Sequence, residues 1–150
     1  MSPTIIVSKE NLPEERETIL QRLIDFNLQN APDPDFRLLG LLVKDDQGAI
    51  IGGLWGRSAY EWLFVELLFV PEHLRGTGLG TQLMRQAEDV ARERGCTGVW
   101  LDTFAFQALP FYLKLGYTIF GELKDHPRGI SQYWLKKNVS EMPSPTPAAS

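Results

Sequence analysis

Three features of the chain carry residue types that can do chemistry. The first is "RGTGLG", Arg75 to Gly80, where three glycines alternate with other residues between an apolar run and a helical pattern. A strand, a glycine-rich turn and a helix N-terminus together make an anion site, because free backbone N–H groups converge there and the helix dipole adds positive potential. Arg75 supplies charge-assisted hydrogen bonds of the kind that suit phosphate. The second feature is Tyr112, inside "ALPFYLKLGY", whose phenol is a candidate general acid with a reference pKa of about 10. The third is Glu66, a carboxylate in the middle of the apolar run "EWLFVELLFV". A bare carboxylate in such a setting is costly unless it is paired or used.

Two common phosphate-binding readings fail on spacing. A Walker loop requires Lys and Ser/Thr after its last glycine, and here Thr81 and Gln82 follow Gly80. The dinucleotide fingerprint G-x-G-x-x-G places Thr81 or Leu83 at its final glycine, depending on the frame. The net charge of −4, from 15 basic and 19 acidic residues, gives no global field for holding nucleic acid. Cys96 is the sole cysteine, so no internal disulfide can form, and a reducing cytoplasm is the natural setting. His73 and His126, the two histidines, lack partners at metal-ligand spacing, so no metal is expected. No apolar stretch approaches a membrane span, and the first residues do not resemble a secretory signal.

The elements that must position these groups follow from periodicity and turn chemistry. "TIIVS" (4–8) reads as a short strand. A helix follows to about Asn30, with Asn11 as its N-cap and Ile19, Leu20, Leu23, Ile24 and Phe26 on one side. "APDPD" breaks the chain, and "FRLLGLLVKD" and "AIIGGLWGRS" form strands joined by the turn "DDQG". "EWLFVELLFV" has the unbroken apolar pattern of a central strand covered on both faces. Leu79, Leu83, Ala87, Val90 and Ala91 mark one face of a helix stopping at Gly95. The strand 97–103, the short helix 108–116 and the strands "TIFGELK" and "SQYWLKK" complete an α/β chain. Residues 1–139 read as one domain and 140–150, rich in proline and small residues, as a disordered tail.

The glycine loop matches the Arg/Gln-x-x-Gly-x-Gly/Ala loop of the GNAT superfamily, the Gcn5-related N-acetyltransferases, and follows a strand ending Leu68-Phe69-Val70 as it does there. "ALPFYLKLGY" resembles that family's Ala-x-x-Phe/Leu-Tyr-x-x-x-Gly-Phe/Tyr motif, in the right order and on the right element. The resemblance implies a mixed central sheet of about six to seven strands, flanked by helices on both faces, with splayed parallel central strands. It implies acetyl-CoA as cosubstrate, its pyrophosphate held by the N–H groups of Arg75, Gly76, Thr77, Gly78, Leu79, Gly80 and Thr81. Its pantetheine arm would run along Leu68, Phe69 and Val70, where an N–H polarises the thioester carbonyl. Tyr112 would protonate the departing thiolate. Glu66, Asp102 or water would take the proton from the amine.

The chain departs from the family pattern at two places. Ala105 stands where many members carry an Asn that touches pantetheine, and Gln107 is the nearby replacement. Pro71 sits one place earlier than in the usual Val-x-Pro. The implied activity is acetyl transfer to a primary amine of a small molecule or a protein, with no covalent intermediate and no metal. Neither a nucleic acid nor a membrane partner is expected. A homodimer is, with "SQYWLKK" pairing across a two-fold axis. A non-catalytic acyl-CoA-binding module of the same fold is the alternative. Trp55, Tyr60, Trp62, Phe104, Phe106 and Trp134 are aromatics for an acceptor pocket or for the core. The first helix, the 31–35 turn and the 124–131 loop would frame the acceptor entrance, with His126 as a second-choice base.

Overall fold

The computed structural model describes residues 2–140, and the last ten residues, most of the expected tail, lie outside it. The chain divides into two compact units at Asp33/Pro34. The first unit contains helix α1, Pro13–Asn30. Pro13 opens it because a residue with fixed φ and no N–H suits the first helical position. The cap position is held by Leu12, one residue later than the expected Asn11, which adopts φ 52°. Glu15 performs the capping, its carboxylate accepting the Leu12 N–H at 2.7 Å. The strand expected at 4–8 does not form, and Ile5, Ile6 and Val7 are exposed, irregular chain. Three apolar residues give β propensity, but propensity without a paired neighbour does not make a strand.

The second unit is a six-stranded mixed sheet flanked by helices. Its strands are β1 Arg37–Lys44, β2 Ile50–Ala59, β3 Trp62–Phe69, β4 Gly98–Phe104, β5 Thr118–Leu123 and β6 Gln132–Asn138, in the order β1-β2-β3-β4-β6-β5. Helix α2, Leu79–Glu93, joins β3 to β4, and α3, Leu109–Lys114, follows β4. All pairs are antiparallel except β3–β4. That one pair must be parallel because α2 carries the chain back across the sheet between them. At the β1–β2 turn the Asp45 carboxylate accepts the N–H groups of Gln47 and Ala49. β6 lies between β4 and β5, so the segment proposed to pair across a two-fold axis has both edges occupied within the chain.

One face of α2 buries Met84, Ala87 and Ala91 against Leu63, Val65, Val99, Leu101 and Leu135 of the sheet. Each large aliphatic side chain so buried contributes about 1.5–3 kcal/mol. Gly95, at φ +76°, ends the helix as its position predicts. β3 differs from expectation. It is not covered on both faces: Leu63 and Val65 are buried, whereas Glu66, Leu67 and Phe69 are exposed.

Two irregularities in β3 explain this. Trp55 pairs with Leu67 but Gly56 pairs with Val65, so Glu66 is the extra residue of a β-bulge. The bulge reverses the strand's alternation, and Leu68 joins the core side that Leu63 and Val65 occupy. In addition, the β3–β4 ladder runs only from Trp62/Gly98 to Val65/Leu101, although both strands continue further. Beyond that point the two parallel strands part, and the backbone edge of residues 66–69 facing β4 has no ladder.

Candidate active site

The parting strands open a cleft of about 870 Å³, lined by β3 from Val65 onward, the glycine loop, the end of β4 and the start of α3. It lies within the range of small-molecule and cofactor sites. Its first wall is the loop between β3 and α2. Gly76 and Gly78 have φ of +79° and +87°, and a Cβ on either would meet no atom within 4 Å. These glycines are therefore set by backbone conformation and by open space in front of them, with no packing against them. Gly80 differs: a Cβ there would stand 3.3 Å from Cζ of Phe111 and 3.7 Å from Cγ2 of Val70, so its glycine lets α2 start close to α3.

The N–H groups of Gly76 through Thr81 have no backbone acceptor among the described residues, and the first to find one is Gln82, bonded to Gly78. Six free donors thus gather at the positive end of α2. Two side chains brace the loop. The Arg75 Nε–H donates to the Val70 carbonyl at 3.0 Å, with the guanidinium over the Phe69 ring, and the Thr77 hydroxyl donates to Leu74 at 2.6 Å. Arg75 keeps its terminal nitrogens free of any partner among the described residues. The loop can hold a diphosphate through backbone donors and one guanidinium.

The second wall comes from β4 and α3. Tyr112, on the first turns of α3, is buried apart from its edge on the cleft, and packs edge-on against Phe111 and Tyr117. Its hydroxyl has no hydrogen-bond partner among the described residues. Burial, and secondarily the Asp102 carboxylate, push its pKa up to about 12. A phenol so shifted keeps its proton at neutral pH. Asp102 lines the same cleft, and its Oδ1 accepts from Gln132 Nε2 at 3.2 Å. Gln107 turns its amide oxygen to the Phe104 N–H at 2.9 Å and to the Thr103 hydroxyl at 3.2 Å. Its Nε2 is left for the cleft.

Glu66 also lines the cleft, although not as a buried carboxylate. It projects from the bulge, exposed, 3.5 Å from Nη1 of Arg57. Cys96 is buried and burial raises its thiol pKa, the opposite of what a nucleophile needs. Among the described residues no group of His, Cys, Asp and Glu could hold a metal ion, and no helix is long and apolar enough to cross a membrane.

The profile of the acetyltransferase (GNAT) family matches residues 6–117, three quarters of the chain. The chain belongs to that family. As an acetyltransferase it is similar to the acetyltransferase Atu2258 of Agrobacterium fabrum, at 40% identity over 83% of this chain and 90% of the relative. It is also 41% identical to the blasticidin-S acetyltransferase of Streptomyces morookaense, over 63% of this chain and 70% of that one. A crystal structure of a candidate acetyltransferase from Agrobacterium tumefaciens superposes with TM-score 0.87 at 37% identity, covering 91% and 99% of the two chains.

In this acetyltransferase every residue expected to hold acetyl-CoA or to move a proton in the first instance lies along the cleft except Thr77, whose hydroxyl is turned into the loop. Of the aromatics set aside for an acceptor pocket only Phe104 and Phe106 line it, and Trp55, Tyr60, Trp62, Trp134 and the second-choice base His126 do not. The motif reading does not single out Leu74, Thr103 or Phe111, which also line it. For Phe111 a signal exists in the sequence, since it adjoins Tyr112 on the same short helix. Thr103 is recognisable only once Gln107 is seen folding back onto it.

Proposed function

We propose that this acetyltransferase moves the acetyl group of acetyl-CoA directly to a primary amine of a small molecule or protein. The observation that carries the reading is the convergence, in one cleft, of the free N–H groups of Gly76, Gly78, Leu79, Gly80 and Thr81 and an unpartnered tyrosine hydroxyl across the gap between β3 and β4. The loop from Arg75 to Thr81 would take the pyrophosphate. The unpaired backbone edge at Leu68, Phe69 and Val70 would run beside the pantetheine amides, with the Gln107 Nε2 donating from the opposite wall.

In the transfer, the nitrogen lone pair of a neutral amine attacks the thioester carbonyl carbon. The C–N bond forms as the C–S bond breaks, and an N–H near Val70 stabilises the developing oxyanion. The amine loses one proton and the thiolate gains one, so amide and thiol are the products. Tyr112 gives the thiolate its proton and recovers one from solvent. Glu66 is the better placed base: it is solvent-exposed at the bulge and can pass a proton on through water. Asp102 is committed to Gln132, and its charge adds to the burial that raises the Tyr112 pKa. With Cys96 buried and its thiol pKa raised, no enzyme nucleophile is required.

The name of the blasticidin-S relative supports a small-molecule acceptor. The test is thiol release from acetyl-CoA with a panel of amines. Release that depends on amine and is matched by formation of the acetyl amide is the expected result. Acetyl-CoA binding without transfer to any amine would contradict the reading.

A further inference from the structure

The walls of the cleft differ in chemistry beyond what acetyl-CoA would use. Arg75 is the one cationic side chain among its described lining residues, and it belongs to the glycine loop. Past the splay the charged groups are both acidic, Glu66 and Asp102. Beside Asp102 on the β4 side lie Phe104 and Phe106. Their rings are stacked, with centroids 5.3 Å apart and planes inclined by only 8°. His126 packs edge-on to Phe104 at 5.6 Å and steadies the inner ring. Phe106 lines the cleft while 63% of its surface stays exposed.

A lone exposed phenylalanine is ordinary. This one is ordered against a second ring, faces a cleft, and shares that cleft with two carboxylates. An exposed ring face beside a carboxylate suits a ligand that stacks a flat ring, offset, on the first and sets a positive charge against the second. Arg57 tempers Glu66, at 3.5 Å, but is not among the lining residues, whereas among the described residues Asp102 bonds only to the neutral Gln132 amide.

We propose that the acceptor is a cationic amine attached to a planar aromatic or conjugated ring, with the ring stacking on Phe106 and the ammonium facing Asp102. This rests on the amine-transfer reading and adds the substrate class to it. An ammonium drawn in this way must still lose a proton before attack, which fits a neighbouring carboxylate and water.

The experiment compares phenethylamine with cyclohexylethylamine, acceptors of equal charge and similar size that differ in the flat π-system. Steady-state kinetics are measured on the full-length wild type and on Phe106→Ala. The wild type should favour phenethylamine by about tenfold in kcat/KM, as a stacked aromatic contact allows. Phe106→Ala should reduce that ratio to about twofold, through KM for the aromatic amine, with KM for acetyl-CoA unchanged. Equal kcat/KM for the two amines in the wild type, or a preference untouched by the substitution, would overturn the proposal. A rise in KM for acetyl-CoA alone would instead assign the ring to the nucleotide and also overturn it. Transfer to neither of these amines, where other primary amines are acetylated, would overturn this proposal and leave the amine-transfer reading standing, whereas transfer to no amine at all would remove both.

Discussion

The Tyr117 hydroxyl donates a 2.9 Å hydrogen bond to Oε2 of Glu88, a carboxylate with no exposed surface on the core side of α2. Arg85 Nη1 at 3.1 Å and Lys137 Nζ at 2.9 Å satisfy the other oxygen. Tyr117 in turn presents its ring to the edge of Tyr112, with centroids 6.1 Å apart. The candidate acid is thus seated on a residue that a buried, fully partnered charge holds in place. Tyr117→Phe leaves that buried carboxylate one donor short, at a cost of about 1–3 kcal/mol. Urea unfolding should show a lower midpoint with unchanged slope, and an unchanged midpoint would mean that the hydroxyl is dispensable.

The same contact sets an alkaline dependence of stability. Burial first, and then the Glu88 carboxylate, raise the Tyr117 pKa above its unfolded value of about 10. A group raised on folding contributes stability that is fully present below its unfolded pKa and lost as pH climbs above it. Unfolding free energy should therefore fall above about pH 10 in the wild type, and less steeply in Tyr117→Phe. Parallel slopes for the two proteins would contradict this.

For Tyr112 the account predicts a change in turnover and not in affinity. Tyr112→Phe should lower kcat by about a hundredfold or more, the scale of general acid catalysis, while the acetyl-CoA dissociation constant stays constant. Because the phenol is pushed up to about 12, it should also keep its proton throughout the working range. No alkaline fall in kcat should then arise from it near the ordinary tyrosine value of about 10. A fall there in the wild type that Tyr112→Phe abolishes would place the phenol at an unshifted pKa.

The two carboxylates are separable by the pH–rate profile. Glu66→Gln should remove the acidic limb of kcat/KM, because the base is gone. Asp102→Asn should leave that limb in place and lower the Tyr112 pKa, because the charge that helps to raise it has been removed. An unshifted profile at normal rate in Glu66→Gln would make Glu66 structural, serving the Arg57 pair at the bulge.

Gly78→Val tests the cradle. At φ +87° a branched residue is strained by about 1–3 kcal/mol, while the space its Cβ enters is open. The variant should fold with a reduced melting temperature and lose acetyl-CoA binding. Retained affinity would remove the loop from the phosphate site.

Much of this site was legible because its signals are local. The glycines at 76 and 78 announce positive φ, Gly95 a helix stop, and the spacing from Ala108 to Tyr117 a short helix carrying Tyr112. What was not legible depends on partners far away in the chain. Strand parity puts Glu66 with Leu68 and Val70, yet a bulge set by the pairing with β2 reverses the alternation at Glu66 itself. Glu88 reads as one polar residue between Ala87 and Asp89. Its position four residues after Met84 places it on the buried face, where Tyr117 and Lys137 come to meet it. Gln107 shows the same limit: its type suits a polar contact in the cleft, but the fixing of its oxygen by Phe104 and Thr103 emerges only from the folded turn.

The most direct test of acetyl-CoA as the loop's ligand is thermal unfolding in parallel excess of acetyl-CoA, CoA, ATP and NAD. A ligand at about 100 times its dissociation constant adds about 2.7 kcal/mol, enough to raise the midpoint of a domain of this size by several degrees. The account predicts that acetyl-CoA and CoA raise the midpoint and that ATP and NAD leave it where it was. A rise with ATP or NAD and none with either CoA species would contradict it.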